Sequence, residues 1–396
     1  MQKNIPYTRK FYAVLAGYIA IIFLGNWHHV NQQGIFFHEY LPIAKHLLND
    51  DGYSINSGVR ILYPMWGYPF LTMIGEFIGS SIFFLAFFQA ILCVIGIAFF
   101  YKLFNLKKKY WHILLFTPFI ALASVRWPDA VVAVLLIAAV WYLKICFETR
   151  SKKYAVITGM LIGLLLNFRN EYFGLLMVLA AVSLISLFLK KRYVFSASAI
   201  IVFFALLMLL PWAYYSYSID KHFRFTATNG GGVLYISLGQ LPNNPWAIAH
   251  TDSVAFAVAK QNGIDDPYSA KGDSLLTAKF IGCIENNPLA YSEKSGYNLL
   301  SSLIRGVYVG EYEGVVEKII KIIFIIVFDF LLVLTCLYYV KNRRLLLAAI
   351  IFTLLIYKFA LIALIQYEPR HMNAIYLFIL GPSLLFWKKK VRQQNR

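Results

Sequence analysis

The chain has 396 residues, enough for two or three soluble domains, yet 60% hydrophobic residues, only 14% charged residues and a mean hydropathy of +0.63 exclude an ordinary water-soluble composition. A net charge of +18 would point a soluble chain toward nucleic acid, but here Lys and Arg gather in short clusters between apolar runs, so the charge is topology information and no nucleic-acid partner follows. Cys93, Cys146, Cys283 and Cys336 are far apart and three of them lie in apolar segments, which excludes a disulfide framework and a zinc spacing.

A spanning helix needs roughly 20 mainly apolar residues. In chain order the candidates run at about 11–27, 81–101, 110–125, 129–147, 154–168, 172–189, 193–213, 319–340, 345–365 and 372–387, ten in all. Basic clusters recur at every second boundary. They are Lys3, Arg9 and Lys10; Lys102 with Lys107 to Lys109; Arg150, Lys152 and Lys153; Lys190 to Arg192; Lys341, Arg343 and Arg344; and Lys388 to Lys390 with Arg392 and Arg396. The positive-inside rule then predicts that both termini are cytoplasmic and that two long polar segments, 28–80 and 214–318, face outside. Between Tyr214 and Glu317 there are ten acids against seven bases, so this segment is slightly acidic in a basic chain and reads as a small outer domain. The predicted organisation is a module of helices 1–7 over residues 1–213 with the outer loop 28–80, an extracytoplasmic region 214–318, and helices 8–10 with a basic tail over 319–396.

In the first outer loop the apolar spacing from Glu39 to Leu48 predicts a short helix on the membrane surface. Pro64 and Pro69 break the following apolar stretch, which reads as interfacial or partly re-entrant. Glu39 is a carboxylate close to apolar surface, where its pKa would rise toward that of a general base; the alternative is a solvated acid paired to Lys45. His38 and His46 in one loop could hold a metal or be interfacial polar residues, and no ligand cluster requires a metal.

Three arginines defy the positive-inside pattern: Arg126 in VRWPDA, Arg169 in NFRNEYF and Arg370 in YEPRH. Local ion pairs with Asp129, Glu171 and Glu368 would explain them. So would a convergent set of guanidiniums gripping a phosphate, whose oxygens match the donor fork of Arg. Asp329 and Lys358 lie nearest the middle of predicted helices, roughly 18 and 21 Å from the turn at 341–344, and a buried ion pair between them is the expectation.

In order and sidedness these features resemble the polyprenyl-phosphate-sugar-dependent membrane glycosyltransferases of the GT-C fold, in particular the protein O-mannosyltransferase and aminoarabinose-transferase-like group. The resemblance spans most of the chain. It rests on Glu39, Tyr40 and Ala44 after the first helix, YPMWGYP at Tyr63 to Pro69, GMLIGLLLNFRNE with Arg169 and Glu171, Pro211 and Trp212, TNGGGVLY ending at Tyr235, and EPRH at Glu368 to His371. Two departures stand out: the family acid is usually Asp, whereas Glu39 preceded by His38 stands here, and ten helices is fewer than many members have. TNGGGVLY lacks the Lys-Ser/Thr ending of a nucleotide-phosphate loop, and simple turn formation is its expected role.

The resemblance implies a bacterial plasma-membrane enzyme, multi-pass, that moves a sugar from a polyprenyl-phosphate-linked donor to an acceptor hydroxyl on the outer face, with inversion. Glu39 would be the general base. Arg370 and Arg169 foremost, with Arg126 and Lys358 behind them, would hold the donor phosphate, and His38, Tyr40, Tyr63, Glu171, Tyr235 and His371 would be further substrate contacts. Some relatives carry a divalent metal such as Mg or Mn near the carboxylate. The acceptor, whether glycan, lipid or protein, is left open. Two other readings compete: a membrane polysaccharide polymerase or ligase, and a lipid-linked-sugar flippase or transporter, which would predict repeats and broken helices at mid-depth.

Overall fold

The structure, a computed structural model, describes residues 5–30, 36–56, 60–305, 307–308, 315–342 and 345–394. Lys3, Arg343, Arg344 and Arg396 of the basic clusters, and residues 31–35 and 57–59 of the first outer loop, lie outside the described residues. Among the described residues every regular element is helical, and one isolated bridge joins Ser54 to Arg60.

In chain order the first half comprises α1 (Ile5–Val30), α2 (Leu41–Leu48), α3 (Gly67–Phe77), α4 (Ser81–Phe104), α5 (His112–Leu115), α6 (Thr117–Ser124), α7 (Asp129–Thr149), α8 (Lys152–Phe168), α9 (Phe173–Phe188) and α10 (Arg192–Asp220). After them come four helices, α11 (Gly230–Ser237), α12 (Asp252–Gln261), α13 (Ala270–Asn286) and α14 (Pro288–Arg305), and then α15 (Val315–Asn342), α16 (Leu345–Leu364) and α17 (Pro369–Gln394). Among the described residues six helical stretches are long and apolar enough to cross a membrane: Ser81–Phe104, Asp129–Thr149, Asn170–Phe188, Arg192–Asp220, Lys321–Lys341 and Leu346–Leu364. They mark the chain as a helical membrane protein. Helices stand at the other expected spans too, but the one expected over 110–125 is divided. Pro118 carries no N–H and sits at the start of α6, so the helix restarts there. At 8 residues α6 is roughly 12 Å long, and it is buried from Pro118 to Ser124 among α1, α4, α7 and α17.

The bundle is tightest where α8 meets α10. Gly159 and Gly163 face α10 one turn apart, and a Cβ on either would come within 2.6 Å of the carbonyl of Ile201 or Ala205, the close approach that small residues at this spacing permit. Replacing Gly163 with Leu is expected to wedge the two helices apart and lower stability by at least ~1–3 kcal/mol. Gly17→Leu, which meets nothing within 4 Å, is the matched control in thermal unfolding of the detergent-solubilised protein.

Helix direction sorts the charges. Lys102, Arg150 to Lys153, Lys190 to Arg192 and Lys341 lie at one end of the bundle; the start of α7, the end of α8, the end of α16 and the start of α17 lie at the other. The segment expected to begin at residue 214 begins later, because α10 continues through Pro211 to Asp220. Beyond it α11, α12 and α13 close a small core of Ile236, Ala255 and Leu276. The glycines of TNGGGVLY do more than turn the chain: they open α11 and let it touch α13, where the Gly231 N–H donates to Asp273 Oδ1 at 2.7 Å and a Cβ would lie 2.1 Å from the Asp273 carbonyl oxygen. This outer unit is tied to the bundle on two sides. The Thr228 N–H donates to the Leu62 carbonyl at 3.2 Å and its hydroxyl to the Tyr268 carbonyl at 2.6 Å. On the other side Lys294, fully buried, donates to the carbonyls of Leu364 and Ile365, and Tyr291 adds a 2.7 Å bond to Leu364. These donors satisfy carbonyls that the end of α16 leaves without intrahelical partners.

Candidate active site

Glu39 lies in a single π turn, Phe36–Tyr40, that leads into α2. Phe36 and Tyr40 are buried, Tyr40 against Tyr68 with ring centroids 4.9 Å apart, whereas His38 is exposed. Burial of the two aromatic rings therefore turns the Glu39 side chain inward and His38 outward. Tyr63 hydrogen-bonds the Glu39 carboxylate, and its Oε2 is buried with no hydrogen-bond partner among the described residues. Desolvation by burial, with the negative charge of Asp252 added, raises the Glu39 pKa from 4.5 to about 7 against the opposing effects of Tyr63 and Arg169. The alternative pairing with Lys45 is replaced by Tyr63. His46 bonds Ser54, its Nδ1 2.8 Å from the Ser54 carbonyl oxygen, and does not meet His38. Among the described residues no three metal-binding side chains converge.

The expected ion pairs form across helices rather than along them. Arg169, at the end of α8, pairs with Asp129 at the start of α7, Nη2 to Oδ2 at 2.6 Å, and Glu171 in the turn before α9 pairs with Lys358 of α16 at 2.6 Å. Arg370 keeps its local partner, Glu368, while its guanidinium stacks on Trp127 with the ring centroid 4.5 Å away. Burial would raise the Glu368 carboxyl, but His371 and Arg370 outweigh it and hold it at about 2. Asp329 is not the partner of Lys358. Lys358 is taken by Glu171 at 2.6 Å, and Asp329 Oδ1 is buried with no hydrogen-bond partner among the described residues.

Of the eleven residues singled out by sequence, Glu39, Tyr40, Tyr63, Arg169, Glu171, Lys358, Arg370 and His371 form one electrostatic cluster at the end of the bundle away from the basic turns. Arg126, only 2% exposed, lies beneath it, its guanidinium 5.2 and 5.7 Å from the Phe36 and Phe37 rings, where it supports the π turn. Two are not brought in. His38 faces out, and Tyr235 packs with the small outer core around Ile236 and Phe280. Sequence reasoning missed Asp252 and Tyr268, which approach Glu39 and Tyr63 from the outer unit; the Tyr63 and Tyr268 rings are 5.1 Å apart. No local signal marks them, because the approach is set by how the outer unit docks.

Beside the cluster, between the bundle and the outer unit, is a cavity of about 350 Å³. Arg169, Glu171, Lys358 and His371 line its bundle side, and Asn229, Gly230, Asp273 and Thr277 its outer side. Arg169 reaches the cavity wall while its Nη2 is held by Asp129, and its Nε is buried with no hydrogen-bond acceptor among the described residues. Arg370 and Arg126 do not line this cavity. Removing Lys358 is expected to strand the Glu171 carboxylate: Lys358→Met should cost roughly 3–5 kcal/mol, and adding Glu171→Gln should recover most of it, as read by a double-mutant cycle in thermal or denaturant unfolding.

The fold and site thus describe a helical membrane protein with a buried carboxylate and fixed cations at one end of its bundle. No protein-family model, curated protein or solved structure gives a significant match to the chain.

Proposed function

We propose that the protein is an integral membrane glycosyltransferase of GT-C type that transfers a sugar from a polyprenyl-phosphate-linked donor to an acceptor hydroxyl on the extracytoplasmic face of a bacterial plasma membrane, with about ten spanning helices and both termini cytoplasmic. The observation that carries this reading is Glu39: a buried carboxyl raised to about 7, with one oxygen unpartnered among the described residues, inside the electrostatic reach of Arg169. A base poised near neutral pH beside a fixed cation suits the removal of a proton from a hydroxyl while negative charge develops on a departing phosphate.

In that reaction the acceptor oxygen attacks the anomeric carbon as the bond to the phosphate oxygen breaks. The acceptor proton passes to Glu39, and the electron pair of the broken bond leaves with the polyprenyl phosphate. Direct displacement inverts the anomeric centre. Arg169, which lines the cavity with its guanidinium oriented by Asp129, is the residue best placed to meet the phosphate; Lys358 stands behind it, and Arg370, held by Glu368 and Trp127, has a supporting part. The carboxylate partners keep these cations in place before substrate arrives, so little reorganisation is needed as charge develops. A divalent metal is not required by this scheme.

The test uses membranes containing wild type or Glu39→Gln, mixed with a panel of short-chain polyprenyl-phosphate sugars and an acceptor extract, with release of free polyprenyl phosphate as the readout. Consumption of one donor by wild type and not by the variant supports the assignment. Consumption by both removes Glu39 as the base. No consumption by a folded wild type moves the reading to a polysaccharide polymerase or ligase, or to a transporter.

A further inference from the structure

The cavity between the bundle and the outer unit has two unlike walls. Its bundle side carries the cations Arg169 and Lys358, the latter paired with Glu171; its outer side carries an amide, a carboxylate and a hydroxyl from Asn229, Asp273 and Thr277. Charge that could bind phosphate is thus confined to one wall, while the opposite wall offers donors and acceptors of the kind that pair with neutral hydroxyls. Its volume of about 350 Å³ lies at the low end of small-molecule sites, which run from roughly 300 to 1,000 Å³, and suits one sugar ring with its phosphate better than an oligosaccharide. The outer wall is firmly built. Asp273 is held by the Gly231 N–H at 2.7 Å, and the contact between α11 and α13 leaves no room for a side chain at Gly231.

Resting on the glycosyltransferase reading, we propose that this cavity holds the sugar of a sugar 1-phosphate ester, with the phosphate toward Arg169 and the ring hydroxyls toward Asn229, Asp273 and Thr277. These three residues of the outer unit then determine which sugar is accepted. The arrangement divides the labour: the bundle supplies affinity for phosphate, common to every donor, and the outer unit supplies discrimination, since a hydroxyl missing or inverted would leave a polar group on that wall unpaired.

Two kinds of variant test it. Thr277→Val and Asn229→Ala each remove one polar group from the outer wall. Gly230→Leu fills the cavity from a position where an added Cβ has only Asp273 Oδ1 within contact range, at 3.8 Å, so the helix start is not forced to move. Binding to the purified protein is measured by titration with three probes: short-chain polyprenyl-phosphate sugars, the bare short-chain polyprenyl phosphate, and the corresponding free sugar 1-phosphates. The expected result is that Thr277→Val and Asn229→Ala weaken the preferred sugar-bearing probe about 3- to 10-fold, the effect of one lost hydrogen bond. Bare polyprenyl phosphate should change by less than about twofold, and Gly230→Leu should abolish the preference for the sugar-bearing probe altogether. Comparable binding of the free sugar 1-phosphate would identify the soluble ester as sufficient; binding of the lipid-linked form alone would identify the lipid ester as the ligand.

Equal weakening of sugar-bearing and bare probes, or no weakening of either in folded variants, overturns the inference. If wild type consumes a donor and these variants keep its sugar preference, the glycosyltransferase reading stands and the inference falls. If wild type neither binds nor consumes any sugar-bearing probe, both fall.

Discussion

Glu39→Gln is expected to slow the chemical step by orders of magnitude and at the same time to make the protein more stable at alkaline pH. In wild type the active form is the carboxylate, so kcat/KM should rise about tenfold per pH unit below about 7 and level off above it. The variant should lose about 10²- to 10⁴-fold, the usual contribution of a positioned base, and show no limb near 7. The stability effect has the opposite sign. Because the carboxyl titrates at 4.5 when unfolded and at about 7 in the fold, the neutral form is favoured by folding. That advantage is fully present below pH 4.5 and is lost as pH rises through 7. At pH 8 wild type therefore carries a penalty of up to about 3 kcal/mol that Gln does not. Wild type and variant should unfold together at pH 4, with the variant ahead at pH 8. A variant no more stable than wild type at pH 8 would mean that the carboxyl titrates normally, and a pH-rate limb at 4 to 5 would lead to the same conclusion.

The second large effect is at Arg169. Arg169→Met leaves Asp129, only 4% exposed, as an unpaired buried charge, expected to cost roughly 3–5 kcal/mol. Adding Asp129→Asn should restore most of that stability, because the stranded charge is gone. Activity should not return with it. If Arg169 meets the developing charge of the leaving phosphate, kcat falls by about 10²- to 10³-fold in both the single and the double variant. Asp129→Asn alone should be milder in stability than Arg169→Met, since Glu171 still lies close to the guanidinium. The decisive comparison is the double variant, assayed for unfolding and for donor turnover in one preparation. Recovery of both would make the pair purely structural.

These two residues also show how the site is assembled. Glu39 and Tyr63 approach each other within the first loop, and Tyr40 is held by Tyr68 of α3 a short distance along the chain. Arg169 and Glu171 are different. They sit in the turn between α8 and α9, and their partners are 40 and 187 residues away. The partnership depends on the close seating of α8 against its neighbours that Gly159 and Gly163 allow. Asp252 and Tyr268 arrive from an outer unit whose docking rests on the bond of Thr228 to Leu62, those of Lys294 to the end of α16, and one from the Gln240 amide to the Tyr367 carbonyl at 2.8 Å.

The sequence by itself was sufficient for the features that are properties of a stretch of chain. Apolar length gave the helices, the alternation of Lys and Arg placed the clusters at one end, and arginines on the unfavoured side marked Arg169 and Arg370 together with Glu171 and Glu368 as members of the site. Glu39 was visible as an acid close to apolar surface just after the first helix. Tertiary structure alone decided which charges meet. The adjacent Glu171 read as the local partner of Arg169, yet Arg169 pairs with Asp129 and Glu171 with Lys358 across helices, and similar depth made Asp329 the expected mate of Lys358 although Lys358 meets Glu171 instead. It also moved Tyr235 into the small outer core and divided the expected span at 110–125 into two short helices, of which α6 is buried. The physical reason is one of range: hydropathy and positive-inside charge act segment by segment, whereas a buried ion pair is chosen by helix packing, which the linear order of residues does not contain.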